Sequence, residues 1–341
     1  MTQRLTPASL KAFPKVELHI HVEACISPAR IEELAAAAGE PMLRPKDELF
    51  TFDNLAEFLA VYEWWCALLR TPEIAEQVAY DAARLMHEDG VVYAEVLTGP
   101  RYWTRLDYPA LITALGKGYE RARRDGYTDC YITPSISREQ PAEWALELLD
   151  WIDKQAPARV VGIGLDGNEA VLGRTCEKFE GVFERVREMG LGTTAHSGES
   201  SGPEGVWDAL SFLKLDRIDH GVRASEDPEL VQRLADDQVT LNICPTSNVC
   251  VGLYDAIDDM PIADFMAAGV PVTINSDDPE TMNTRLSAEF EQVGAGLGWE
   301  LQDVAGLTKA AINAAFCSDA RAAELRAEVD AFMAGQSEGQ T

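Results

Sequence analysis

Short apolar runs recur along the chain, each followed by a stretch in which apolar residues return every three or four positions. The runs are KVELHIH (15–21), VVYAEVLTG (91–99), TDCYITPSI (128–136), RVVGIGLDG (159–167), LGTTAHSGE (191–199), RIDHG (217–221), VTLNICPTSN (239–248) and VPVTINSDD (270–278). Helical spacing marks 28–38, 71–88, 108–125, 141–155, 174–189, 203–213, 227–237 and 261–268. Near-continuous apolar strands alternating with helices predict a parallel sheet covered on its outside. Eight such units predict an α/β protein of the (β/α)8 TIM-barrel class. An open doubly wound sheet fits less well, because no glycine fingerprint of a dinucleotide fold follows the first strand.

Two regions depart from the repeat. The stretch between the first two runs is much longer than an ordinary strand-to-helix connection. It predicts a helical insertion, about residues 29–88, partly covering the mouth of the barrel. Its Phe58, Tyr62, Trp64 and Trp65 read equally as pocket lining or as an apolar helix face packed on the body. From Ser287 onward further helices close the barrel, and the last residues, GQSEGQT, should fray. With no linker, low-complexity tract or internal repeat, residues 1–341 read as one barrel domain.

Composition narrows the function. The chain is 46% hydrophobic and 25% charged, with 29 Lys and Arg against 57 Asp and Glu for a net charge of −28. Such an acidic surface disfavours nucleic acid and anionic membranes. Seven cysteines, an odd number without CxxC spacing, read as reduced thiols of a cytoplasmic protein. The N-terminal MTQRLTPASLKAF lacks the apolar core of a signal peptide, and no apolar run reaches membrane-spanning length. A homo-oligomer is left open.

The chemistry gathers where strands end. Side chains alternate along a strand, so His19 and His21 share a face and reach one ion. In a barrel the C-terminal strand ends converge on one mouth. There the sequence places His19, His21, Gly167, His196, Glu199, His220, Ser247, Asn248, Asp277 and Asp278, leaving only His87 outside the pattern. Three imidazoles and a carboxylate make a site for zinc or a similar divalent ion, with room for a water. His220 could orient that water, or simply cap its strand. Glu199 could hold a proton for a substrate nitrogen, or serve as the acid that opens the helix beyond it.

Taken in order, PKVELHIH, TAHSGES, RIDHG, CPTSN and NSDDP resemble the adenosine deaminase family of the amidohydrolase superfamily, from Pro14 to about Ala315. The resemblance implies one zinc ion per chain, with iron or manganese as alternatives, held by His19, His21, His196 and Asp277. It implies Glu199 as proton donor to purine ring nitrogen one and His220 as the residue aligning the attacking hydroxide. Asp278 would contact ring nitrogen seven, and the Gly167 backbone ring nitrogen three. The implied reaction is hydrolytic: water adds at carbon six of a 6-aminopurine and ammonia leaves.

Departures from the family pattern bear on the substrate. Adenosine-specific members usually follow HxH with Leu-Asp-Gly, whose aspartate binds ribose; this chain has Val22-Glu23-Ala24. A glutamate there resembles members acting on adenine or on modified nucleosides such as aminodeoxyfutalosine, which makes Glu23 a candidate substrate-binding residue. Leu97 stands where an arginine is more usual, and Arg101, Tyr102 and Trp103 are expected near the pocket rim. An adenosine-type nucleoside is the first choice of substrate. Two rival readings are a binuclear amidohydrolase and a catalytically silent purine-binding protein. The binuclear reading needs a lysine or acid at the fourth strand end. The one candidate there, Asp166, is expected by alternation to face away from the metal.

Overall fold

The computed structural model describes residues 4–52, 55–99 and 102–338. Its eight strands are β1 (Lys15–His21), β2 (Val91–Thr98), β3 (Asp129–Ser137), β4 (Gly162–Asp166), β5 (Gly192–Ser197), β6 (Arg217–His220), β7 (Thr240–Ile243) and β8 (Val272–Ile274). They pair in sequential order, every neighbour parallel. The last returns to the first just past its own end: Ile20 bridges Asp277 in parallel, and the His21 amide donates to the Asp277 carbonyl at 2.9 Å. That closure makes the TIM barrel expected from the eight apolar runs.

Helices cover the outside, and their starts are legible as capped turns. Thr71, Asp107 and Asp227 each accept a backbone N–H from the first turn of the helix they precede, with proline at one of its first two positions. Between β1 and β2 lie the helices Pro28–Ala38, Leu55–Cys66 and Pro72–Glu88, the last being the crossover to β2. Beyond β8, the described residues form three α-helices, Leu286–Leu297, Leu301–Ala314 and Asp319–Glu338.

The segment between the last two of these reaches back to the barrel's N-terminal end. A Cβ at Gly162 or Gly192 would run into the Phe316 ring. The ring also stacks 3.7 Å from the guanidinium of buried Arg217, which pairs with Glu95 at 2.7 Å. Phe316 thus seals the end away from the mouth, and the two glycines leave it room.

Several strands are shorter than their apolar runs suggest. The expected strand 239–248 stops at Ile243 because Pro245 starts a helix over Pro245–Cys250, carrying Ser247 and Asn248. The run 191–199 ends as a strand at Ser197, where Gly198 takes left-handed backbone (φ 66°), and the run 270–278 ends as a strand at Ile274, three residues before the left-handed Asp277 (φ 61°). Polar side chains at the mouth therefore sit on turns just past strand ends.

Candidate active site

His19 leaves β1 fully buried. Its Nε2 lies 2.9 Å from Asp277 Oδ1, and its Nδ1 lies 3.0 Å from Asp219 Oδ1. His21, two residues on, places Nε2 3.4 Å from the same Asp277 oxygen and 3.3 Å from His196 Nε2. His196 turns its other nitrogen to Asp166, at 2.9 Å. His220 Nε2 stands 3.8 Å from both Asp277 Oδ2 and Glu199 Oε1, while its Nδ1 meets the Asn248 side-chain amide at 3.1 Å. Ligand atoms of His19, His196, His220 and Asp277 all lie within 4.8 Å of one another, so the cluster fits a metal site. His220 and Asp277, at φ 63° and 61°, both occupy left-handed backbone that a non-glycine residue adopts only at a cost.

The donor chemistry asks for a cation. His19 Nδ1 lies 3.0 Å from Asp219 and His196 Nδ1 2.9 Å from Asp166; protons held on those nitrogens beside the carboxylates would leave lone pairs on both Nε2 atoms facing inward. His19 Nε2 then confronts a carboxylate, and the Nε2 atoms of His21 and His196 confront each other. A positive ion among them turns repulsion into attraction. Without one, protons do that work. Burial disfavours a charged His19, but Asp219 and Asp277 outweigh it and push its pKa well above the ordinary value. Burial also opposes a charged His196, yet Asp166 pushes it up to about 9. Burial dominates at His21, whose pKa falls to about 4. Asp277 is held well below the usual carboxylate range: burial acts against this, and His19 and His220 overcome it. Its neighbour Asp278 is pushed well above that range, by burial and then by repulsion from Asp277.

Above this floor opens a cavity of about 380 Å³. Glu199, Asp278, Gly167, His21, His196, His220, Asp277 and Ser247 line it, while His19 and Asn248 stand behind that lining, against Asp277 and His220. Phe58, Tyr62 and Tyr102 form one wall, and Val251, Leu253 and Met282 add apolar surface. Trp65 is instead buried in the core, where its indole donates to the Glu23 carbonyl, and Trp64 packs half-buried against that core. Trp103 is buried too, and Arg101 lies outside the described residues.

Glu23 sits behind the wall. It is fully buried in the 3-10 turn Val22–Cys25, and its Oε1 accepts from Thr98 Oγ1 (2.9 Å), the Gly99 amide (2.9 Å) and Trp103 Nε1 (2.6 Å). It is not among the residues that face the cavity. Burial pushes its carboxyl up to about 7.

The expectation for Asp166 is overturned. In β4 the side chains of Ile163 and Leu165 are buried, and a Cβ at Gly164 would meet Ser135 Oγ and the Leu97 side chain. Asp166 shares its face with Gly162 and Gly164, reaches His196 and lines the cavity. It addresses the rear nitrogen of His196, however, and not the side where the ligand atoms converge. Asp219 is hidden in the sequence for a related reason. Alternation sets it opposite His220 in RIDHG, but the left-handed turn at His220 brings both to the cluster.

Comparison with known proteins agrees with this geometry. An aminodeoxyfutalosine deaminase of Streptomyces avermitilis is 35% identical over 95% of this chain and 92% of its own. The crystal structure of an adenine deaminase from Arthrobacter aurescens superposes with a TM-score of 0.87 at 31% identity, covering 94% of this chain and 99% of that one. An amidohydrolase from Burkholderia ambifaria with bound Zn gives 0.86 at 27% identity, over 98% and 96% of the two chains. Residues 14–332 match the family described as Adenosine deaminase, and the chain therefore belongs to that family of hydrolytic deaminases acting on purine C–N bonds.

Proposed function

We propose that the protein removes the exocyclic amine of a 6-aminopurine by hydrolysis, releasing ammonia and the 6-oxopurine. The observation that carries this reading is the convergence of four histidines and Asp277 on the floor of a cavity whose walls bear Glu199 and Asp278. One zinc ion per chain is the proposed metal, since imidazole and carboxylate donors in this number suit it. His19, His21, His196 and Asp277 would hold it. Bound zinc supplies water activated for attack near neutral pH, its pKa lowered to about 7.

The chain's own residues do the rest. His220, braced at Nδ1 by Asn248, orients the attacking water through Nε2. Glu199 gives a proton to ring nitrogen one as water adds at carbon six. One proton of that water then passes by way of the Glu199 carboxylate to the exocyclic nitrogen, the C–N bond breaks with loss of ammonia, and the water's other proton returns to Glu199 as the 6-oxo group forms. Asp278, whose charge is disfavoured by burial and by Asp277, would in its neutral form donate to ring nitrogen seven, which has only a lone pair. The Gly167 backbone, at φ 116°, faces the cavity with no side chain in the way and meets ring nitrogen three. Asp166 does not bridge two metals, because it lies behind His196.

An adenosine-type nucleoside is the proposed substrate. The cavity, about 380 Å³, lies within the size range of small-molecule sites. The aromatic wall of Phe58, Tyr62 and Tyr102 favours a second reading, a nucleoside with an apolar substituent on its sugar. Ammonia release from adenosine, deoxyadenosine, adenine, methylthioadenosine and aminodeoxyfutalosine tests both readings. Glu199→Gln is expected to keep its metal and lose about 10²–10⁴-fold in turnover. Silence of the zinc-loaded protein toward all five compounds, or near-normal rates in that variant, would overturn the reading.

A further inference from the structure

Glu199 takes its place from the segment that carries it, and one side chain grips that segment on both sides. Glu169 follows β4 by three residues, opens the short helix Glu169–Leu172 and is 6% exposed. Its Oε2 accepts from the Gly198 amide at 2.9 Å and from Ser201 Oγ at 2.8 Å. Its own amide donates to Ser200 Oγ at 3.0 Å. Residues 198, 200 and 201 are therefore all tied to Glu169, and Glu199 lies between them.

Arg138 extends the grip. Its guanidinium lies 3.7 Å from the other Glu169 oxygen and donates to the His196 carbonyl at 2.6 Å. The fit is close: a Cβ at Gly198 would strike Val206, and one at Gly205 would lie 2.5 Å from Glu169 Oε1. Glu169 stands only two residues beyond Gly167.

We infer that Glu169 is a positioning residue that fixes the Glu199 carboxylate relative to the purine ring, through its bonds to Gly198, Ser200 and Ser201. This rests on the deaminase reading above. The clamp links the segment that protonates one edge of the ring to the backbone that meets another. A carboxylate suits the task, since one oxygen accepts both donors while the other faces a cation.

The test separates positioning from folding. In Glu169→Ala, kcat is expected to fall about 10–100-fold, the range an ångström-scale misplacement produces, while KM and metal content stay near wild type. Glu169→Gln keeps an acceptor for Gly198 and Ser201 and should recover most of the rate. The decisive arm is the Glu199→Gln background, where Glu169→Ala should change the residual rate less than about twofold. A full additional loss there would overturn the inference.

Amide hydrogen exchange supplies a readout independent of turnover: protection over 198–201 should drop in Glu169→Ala and persist in Glu169→Gln. If Glu169→Ala fails to fold, Ser201→Ala, which removes one of the two donors, should show the same rate loss in smaller measure and the same silence beside Glu199→Gln. Should the wild type release no ammonia from any 6-aminopurine, the deaminase reading falls, and unchanged exchange over 198–201 would overturn the clamp separately.

Discussion

Replacing Asp219 by alanine tests whether the carboxylates behind the histidines set up the metal site. Asp219 is fully buried; its Oδ1 lies 3.0 Å from His19 Nδ1 and accepts from Asn242 Nδ2 at 2.8 Å. Truncation strands the Asn242 amide and removes the carboxylate facing His19 Nδ1, at about 1–3 kcal/mol each, so a loss of roughly 2–6 kcal/mol in the stability of the metal-free protein follows. It also frees the His19 ring to take the other tautomer, with a proton where the ion must bind. Loss of such an outer partner weakens metal binding about 10–100-fold. Chelator competition followed by elemental analysis measures the second effect, and thermal melts of the metal-free variants measure the first. Asp219→Asn, which can still present an oxygen to Nδ1–H, should lose less of both. Wild-type metal affinity in Asp219→Ala would refute the reasoning, because the carboxylate would then have no part in orienting His19.

Three further outcomes are expected. Gly192→Ala puts a methyl into the Phe316 ring and should destabilise by about 1–3 kcal/mol, read as a lower melting temperature with metal affinity unchanged. Burial pushes Glu289 from 4.5 up to about 7, so folding disfavours its charge. Its contribution is absent below pH 4.5 and grows unfavourable toward pH 7, by about 1.4 kcal/mol per unit. Denaturant titrations from pH 4 to 8 should show that fall in the wild type and a flatter profile in Glu289→Gln. Glu23→Asp draws the carboxylate back from Thr98, Gly99 and Trp103 and should loosen the wall behind Tyr102. The ratio of adenine to adenosine turnover should shift, and an unchanged ratio would deny Glu23 any part in substrate choice.

The barrel was legible because parallel strands buried on both faces read as apolar runs, and eight of them alternate with helices. The mouth was legible because imidazoles and acids cluster at run ends, and the structure brings His19, His21, His196, Glu199, His220, Asp277 and Asp278 together. The partners behind them were harder to see. Asp166 defeats simple alternation because the apolar residues of β4 face outward to helices, so the inward face is the one bearing glycines and the acid. Glu23 was expected at the substrate, but the turn after His21 packs it inward onto β2, whose hydrogen-bond donors a linear sequence does not reveal. Bonds such as those of Glu169 to residues some thirty positions away depend on tertiary packing alone.

One titration bears most directly on the account. Protein stripped of metal receives zinc in steps, and ammonia release from an adenine nucleoside is followed at each step. Activity should rise in proportion and level off at one equivalent per chain. A plateau only at two equivalents, or ammonia release that ignores added metal, would contradict it.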